Sequence, residues 1–176
     1  MKKLFFIFGF LFISIFSFGQ IGNSEFINLE DGKFVGSLWE PRAVITYDSN
    51  KYGFVFVIKT SDTYLDIFPG HKVSIEFNDG TRELYEIKVS NKEYANKIIS
   101  HSLVHIYTRT FIIYPNFEKL CSTEISRFVI QRTNGQIWTI DVKSKRAKKL
   151  LNEFKESMNV AKNSYNLKVN NNNYFN

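Results

Sequence analysis

Asn134-Gly135 stands between two runs rich in β-branched and aromatic residues, Ile125 to Arg132 and Gln136 to Lys143. This dipeptide constrains the chain more than any other stretch, because Asn-Gly in such a setting turns a strand back on itself. Glycine accepts the positive φ of a tight reversal at little cost. The register follows from side-chain faces. A two-residue loop sets Phe128 opposite Asp141 and Ile130 opposite Thr139, which mixes apolar with polar. A three-residue loop, Thr133-Asn134-Gly135 with Gly135 left-handed, pairs Ile130 with Trp138 and Phe128 with Ile140, and sets Arg127 opposite Asp141 on the other face. A slip of one residue moves every side chain to the wrong face, so the three-residue loop is predicted.

A helix is predicted directly after this hairpin, over residues 144–163, with Ser144 as its N-cap. At about 100° per residue, Ala147, Leu150, Leu151, Phe154, Met158 and Ala161 fall on one arc. Lys145, Arg146, Lys148, Lys149, Asn152 and Glu156 fall outside it. One apolar stripe needs one partner surface, and the apolar face of the hairpin is the nearest in sequence. Burying Leu150, Leu151 and Phe154 contributes roughly 1.5–3 kcal/mol each before conformational entropy is counted. Residues 164–176 are mostly Asn with scattered aromatics and are expected to form a disordered tail.

The other end of the chain carries an address. Met1-Lys2-Lys3 is followed by an apolar run from Leu4 to Phe16, and Ser17-Phe18-Gly19 places small residues around a cut before Gln20. This order is that of a secretory signal peptide over residues 1–19, cleaved near Gly19, which predicts a periplasmic or extracellular protein. The run is shorter than the ~20 residues that a membrane span needs. No Cys follows it, so lipoprotein acylation is not expected. Removing Lys2 and Lys3 lowers the formal charge from +6 to +4, and seven of the 18 Phe leave with the same segment. Cys121 is the single cysteine; it cannot form a disulfide within the chain and reads as a small buried hydrophobe.

Between a lead-in at residues 20–32 and the helix, the chain is a series of β-like runs, making one domain over residues 33–163. The runs are Phe34–Leu38, Ala43–Tyr47, Gly53–Thr60, Val73–Phe77, Arg82–Val89 and Leu103–Tyr114, with Tyr64–Phe68 as a further short strand. Asp31-Gly32, Asp48-Ser49-Asn50, Pro69-Gly70 and Asp79-Gly80 punctuate them as turns. The loop Asn78-Asp79-Gly80 places Val73, Ile75, Phe77, Tyr85, Ile87 and Val89 on one face. It also pairs Glu76 with Arg82 and Lys72 with Glu86 on the other face. Two hairpins of one loop type fit an internal duplication, and shared turn chemistry explains them equally well. Asn91–Ser102 reads as a short helical turn or a ragged loop, and Pro115–Leu120 as a helical turn.

Strands followed by one terminal helix predict an antiparallel β-sandwich or small barrel packed against an amphipathic α-helix. In order of elements this resembles a pleckstrin-homology-like fold. The signal ending Ser17-Phe18-Gly19-Gln20, the Asn/Lys/Ile/Phe-rich composition and the Ile125–Phe154 hairpin-helix together resemble small exported proteins of unknown function from Bacteroidota. That resemblance implies export and implies no site residues.

A search for chemistry returns little. His101 and His105 have the spacing of a helical zinc motif, but Ser102 stands where that motif needs Glu, and His71 is remote in sequence. There is no Gly-x-Ser-x-Gly elbow, no phosphate-cradling glycine loop and no dinucleotide fingerprint. Asp62 and Asp66 lie beside a turn and read as loop-solvating carboxylates. No catalytic residue, metal or cofactor is therefore predicted.

One feature works against stability. Lys143, Lys145, Arg146, Lys148 and Lys149 crowd the start of the helix, where the macrodipole makes exposed cations unfavourable by roughly 0.3–1 kcal/mol each. These five are the candidate contact for an anionic envelope component or protein, while nucleic acid is a poor match for an exported chain without a basic-aromatic platform. The leading expectation is a non-enzymatic binding or interaction domain. The alternatives are a hydrophobic-ligand carrier lined by Phe54, Phe56, Tyr85 and Trp138, and a hydrolase with an unrecognised site.

Overall fold

A computed structural model describes residues 21–30, 41–61, 64–99 and 101–173. The predicted signal peptide, the predicted Asp31-Gly32 turn, the Phe34–Leu38 run and Asp62 lie outside these residues. The described residues form ten strands: β1 (Gly22–Asn23), β2 (Ile27–Asn28), β3 (Arg42–Asp48), β4 (Lys51–Ser61), β5 (Lys72–Phe77), β6 (Arg82–Glu86), β7 (Val89–Ile99), β8 (Ser102–Ile113), β9 (Ile125–Gln131) and β10 (Ile137–Asp141). A short helix α1 (Phe117–Ser122) precedes β9, and a long helix α2 (Ser144–Asn173) closes the chain.

These strands form two antiparallel sheets. The first has the order β1-β3-β4-β8-β7, with β2 also on β3; the second has the order β10-β9-β5-β6. The chain alternates between them by hairpins: β3–β4 in the first, β5–β6 in the second, β7–β8 in the first, β9–β10 in the second. In each sheet the two hairpins meet through their inner strands, β4 with β8 and β5 with β9.

Period-two alternation turns Phe54, Phe56, Ile58, Phe111 and Ile113 of the first sheet toward Val73, Ile75, Phe128, Ile130 and Ile140 of the second, all buried. Phe56 joins the layers, lying parallel to Phe111 at 4.8 Å and edge-on to Phe128 at 5.4 Å. Phe54 and Phe56 are thus fully buried core and do not line a cleft.

Both predicted registers hold. Trp138 pairs with Ile130, Ile140 with Phe128 and Asp141 with Arg127. Glu76 pairs with Arg82 and Lys72 with Glu86. In the second loop Asn134 as well as Gly135 is left-handed, at φ 61° and 72°.

Several expectations are corrected. Val89 does not share the face of Val73: the amide of Lys88 donates to Ile112 O at 3.0 Å, so the chain crosses to the first sheet there and Val89 opens β7. Asn91–Ile99 is neither helix nor loop but most of β7, paired along its length with β8, which Ser102 opens. Its polar residues were compatible with a strand because β7 is an edge with little to bury. Tyr64–Phe68 is irregular rather than a strand, although Leu65 and Ile67 are buried.

Ser144 lies inside the first turn of α2, and Lys143 occupies the cap position, its carbonyl accepting from the amides of Arg146 and Ala147. The stripe Ala147, Leu150, Phe154 and Ala161 is buried as expected. Its partner is broader than the hairpin: α2 packs on β1, β3 and α1 as well as β9, with Phe154 edge-on to Phe54 at 5.6 Å. The helix also continues through 164–173 instead of giving way to a disordered tail. Tyr165 explains the extension, meeting Tyr47 edge-on at 5.2 Å. Cys121 is half-buried with its Sγ 3.3 Å from Met158 Sδ, and burial raises its thiol pKa.

A tyrosine cradle over a buried arginine

The basic start of α2 divides in two. Lys143, Lys145, Lys148 and Lys149 are exposed, whereas Arg146 is buried and unavailable to an outside partner. Its guanidinium forks onto Glu153 at 2.5 and 2.7 Å and donates through Nε to Asn28 O at 2.9 Å. Helical geometry explains the split, since position 146 lies on the side of α2 shared with Leu150 and Glu153.

The histidines do not converge. His101 sits in the β7–β8 turn with φ 67°, and His71 Nδ1 accepts from the Phe68 amide at 3.4 Å. Among the described residues no group of three or more His, Cys, Asp or Glu could hold a metal ion. Asp66 is engaged by Arg132 Nε at 2.8 Å. Its burial pushes the carboxyl pKa up, and hydrogen bonds from Thr133, from its own amide and from Arg132 outweigh that and bring it down.

A different cluster is assembled where the β7–β8 hairpin leaves the sandwich. The residues Tyr107, Arg109, Phe111 and Ile113 of β8 alternate onto one face. Phe111 and Ile113 enter the apolar core, while Arg109 is only 3% exposed at its margin. Segment 64–68 crosses above it. Arg109 Nε donates to Leu65 O at 2.5 Å and Nη2 to the Tyr64 hydroxyl at 2.6 Å. The guanidinium carbon lies 5.0 Å from the Tyr64 ring centre and 5.3 Å from that of Phe68. Among the described residues no carboxylate forms an ion pair with Arg109.

Three tyrosines wall the space beside this cation. Tyr94 of β7 stands directly across from Tyr107 of β8, with ring centres 5.3 Å apart and planes inclined by 50°. Tyr64 meets Tyr107 edge-on at 5.8 Å. Tyr94 is held from its far end: its ring lies on that of His105 at 5.8 Å, and its hydroxyl is 2.6 Å from His105 Nδ1. That nitrogen is also 2.9 Å from Asn96 Oδ1. His105 therefore serves as a support for Tyr94. The walls border a half-open pocket of about 350 Å³ that Lys92 also lines; Glu93 and Thr108 adjoin it from strand positions of the opposite face. Lys92 is the direct cross-strand neighbour of Arg109, so two cations border one small space.

None of these residues was picked out by motif. One signal was present: Arg109 occupies the inward phase of a strand whose other inward positions are Tyr107, Phe111 and Ile113. A charge in the apolar phase of a strand needs a partner. Tyr94 was hidden because its segment reads as loop.

The chain matches no protein-family model, no curated protein and no solved structure.

Proposed function

We propose that this chain is an exported, non-enzymatic binding domain of the cell envelope that receives an anionic group of its partner in the Tyr64–Tyr94–Tyr107 cradle. The observation that carries the reading is Arg109. A guanidinium removed from water costs several kcal/mol unless it is compensated (on the order of that figure even after relaxation). Among the described residues the compensation is a carbonyl, a phenol and two ring faces, all of them neutral. An anion held at the exposed Lys92, directly across from Arg109 on the same face of the hairpin, offsets this buried charge at short range without contacting the guanidinium. Nothing in the cradle is arranged as nucleophile and base, which favours binding over turnover. Export rests on the Lys2-Lys3 start and the apolar run that follows it.

Titrating the purified chain with acetate, sulfate and inorganic phosphate, followed by amide chemical shifts, tests this. Salt-sensitive shifts confined to 92–94 and 107–109 are expected, lost in Tyr94→Ala. Shifts absent from those residues overturn it.

A second reading retains the exposed lysines. Lys143, Lys145, Lys148 and Lys149 form an open cationic face suited to a broad anionic surface such as lipid headgroups. Reversing Lys145, Lys148 and Lys149 to Glu abolishes salt-sensitive vesicle binding if that face is the contact; unchanged binding removes it. Among the described residues no helix is long and apolar enough to cross a membrane.

A further inference from the structure

We infer that the end of the β7–β8 hairpin is a wedge that enters an anionic lipid surface. The wedge is a different part of the molecule from either contact proposed above. It shares with them only the export of the chain, which cell fractionation tests by itself.

The hairpin outruns its sheet. Pairing of β4 with β8 ends at Ser61 and Ile106, whereas β7 and β8 stay paired out to Ile99 and Ser102. A two-stranded arm therefore extends about 13 Å past the last β4 residue, and among the described residues no third strand joins it there. It turns at His101, which has φ 67°. One pair back from the turn, Ile98 and Leu103 stand directly across from each other, 74% and 60% exposed. Two branched aliphatic side chains held side by side in water, beyond the reach of the core, mark a contact with a partner or a membrane.

Period two sorts the pairs behind this tip. On the same face come Asn96 with His105, then Tyr94 with Tyr107, then the exposed Lys92 across from Arg109. An aliphatic end, a pair of amphipathic rings and then a cation follow the order of acyl boundary, interface and headgroup phosphate. The polar pair between tip and rings is held within the arm, with His105 Nδ1 2.6 Å from the Tyr94 hydroxyl and 2.9 Å from Asn96 Oδ1. That lowers the cost of bringing it toward an apolar medium. An arm of two strands has open backbone edges, which hydrocarbon leaves without partners, so entry stops in the hydrated interface, roughly 5–10 Å deep.

Charge selects the occupant. The chain has 17 Asp and Glu, yet none falls between Tyr94 and Phe117, where the charged residues are Lys97 and Arg109. The lysines at the start of α2 stand at the same end of the first sheet. Arg146 reaches Asn28, which pairs with Arg42, and the row continues through Val57 and Thr110 to Asn91. From that row α2 runs toward Ile21, which Lys168 reaches, so its first turn faces the end from which the arm projects. Two arms facing each other in a pair of copies bring cations together with no carboxylate between them. A negatively charged bilayer meets the aliphatic tip and the cations at once.

The experiment is co-sedimentation of the chain, as exported by the expressing cell, with vesicles of phosphatidylcholine alone or mixed with phosphatidylglycerol. Binding to the mixed vesicles, weakened by salt, is expected. Replacing both Ile98→Ser and Leu103→Ser should weaken it about tenfold or more with an unchanged circular dichroism spectrum, since neither side chain is packed. Leu103→Trp reports entry directly: on mixed vesicles its emission should shift to the blue and be quenched by brominated acyl chains, beyond the signal of the parent chain. Full binding by the serine double variant, or no added quenching in Leu103→Trp, overturns the wedge. Equal binding to phosphatidylcholine alone overturns the anionic surface. A dimer in sedimentation that the double variant abolishes, with no vesicle binding by either form, overturns the lipid assignment and gives the tip to a second copy of the chain.

Discussion

Arg146 and Glu153, two turns apart on α2, face each other in a forked ion pair, with Nη1 to Oε1 at 2.7 Å and Nη2 to Oε2 at 2.5 Å. The same guanidinium holds the carbonyl of Asn28 at the end of β2, so one side chain ties the closing helix to the β1–β2 segment. Because Arg146 is 5% exposed while the Glu153 side chain is 37% exposed, truncation strands only part of the pair in a dry environment. Arg146→Ala should therefore cost about 2–3 kcal/mol, below the full penalty for breaking a wholly buried pair. Lys149→Glu, on the exposed side, should leave stability within about 0.5 kcal/mol. Urea denaturation of the two variants checks the contrast, and equal effects would refute the assignment of Arg146 to structure.

Asp79 gives the fold a dependence on acid. Its carboxylate accepts from Lys119 Nζ at 2.6 Å, and from the Thr81 hydroxyl at 2.5 Å and amide at 2.9 Å. The Lys119 and Thr81 hydrogen bonds hold its pKa down at about 2. A pKa depressed in the folded state adds stability that is complete above the unfolded value, about 3.9. That contribution is lost as pH falls through the folded value. The urea midpoints of wild type and Asp79→Asn should thus differ at pH 6 and converge on approaching pH 2. A gap that stays constant across this range would rule out the carboxylate as its source.

The second sheet was legible in the sequence because its information is local. Loop chemistry at Asn78-Asp79-Gly80 and Thr133-Asn134-Gly135 and alternation in the flanking strands fix each hairpin register without reference to the rest of the chain. The joining of β5 to β9 was not legible, since it depends on which hairpins share a sheet. Nor was β7, an edge strand whose Asn91, Lys92, Glu93 and Asn96 have little reason to alternate with apolar residues. The cradle fell in the same gap, because it unites loop residue Tyr64 with two strands and only Arg109 carried a local sign. The start of α2 misled for a related reason: helical periodicity set Arg146 outside the apolar arc, and only Glu153 and the Asn28 carbonyl explain its burial.

Glycines 80 and 135 are tests of turn geometry free of packing. Both have positive φ, 82° and 72°, and a β-carbon on either would meet no atom within 4 Å. Gly80→Ala and Gly135→Ala should each lose about 1–2 kcal/mol from backbone conformation alone. Antiparallel pairing of β5 with β9 sends the two loops to opposite ends of the sheet, so the double variant should show the sum of the single effects. Thermal or urea melts give the three values. A strongly non-additive result would mean that the hairpins are coupled beyond their shared strand pair.

The last turns of α2 allow a sharper test, because composition and packing make opposite predictions for them. Asparagine-rich sequence alone has too little apolar surface to hold a helix in water. The fold supplies that surface at two points. Tyr165 meets Tyr47 edge-on, and Gly22 of β1 lies so close to α2 that a β-carbon would collide with the Ala161 carbonyl and the Tyr165 backbone. Lys168 Nζ then donates to Ile21 O at 2.6 Å. Ending the chain after Asn163 removes Tyr165 and Lys168 and uncovers β1, and should cost about 1–3 kcal/mol. Gly22→Ala, which leaves the tail intact but separates β1 from α2, should destabilise in the same direction. Amide exchange supplies the independent readout: protection should extend past residue 165 in the full chain and retreat toward Phe154 in the truncated one. If residues 164–170 exchange freely and truncation leaves the melt unchanged, composition governs this segment and the contact with β1 does not hold it.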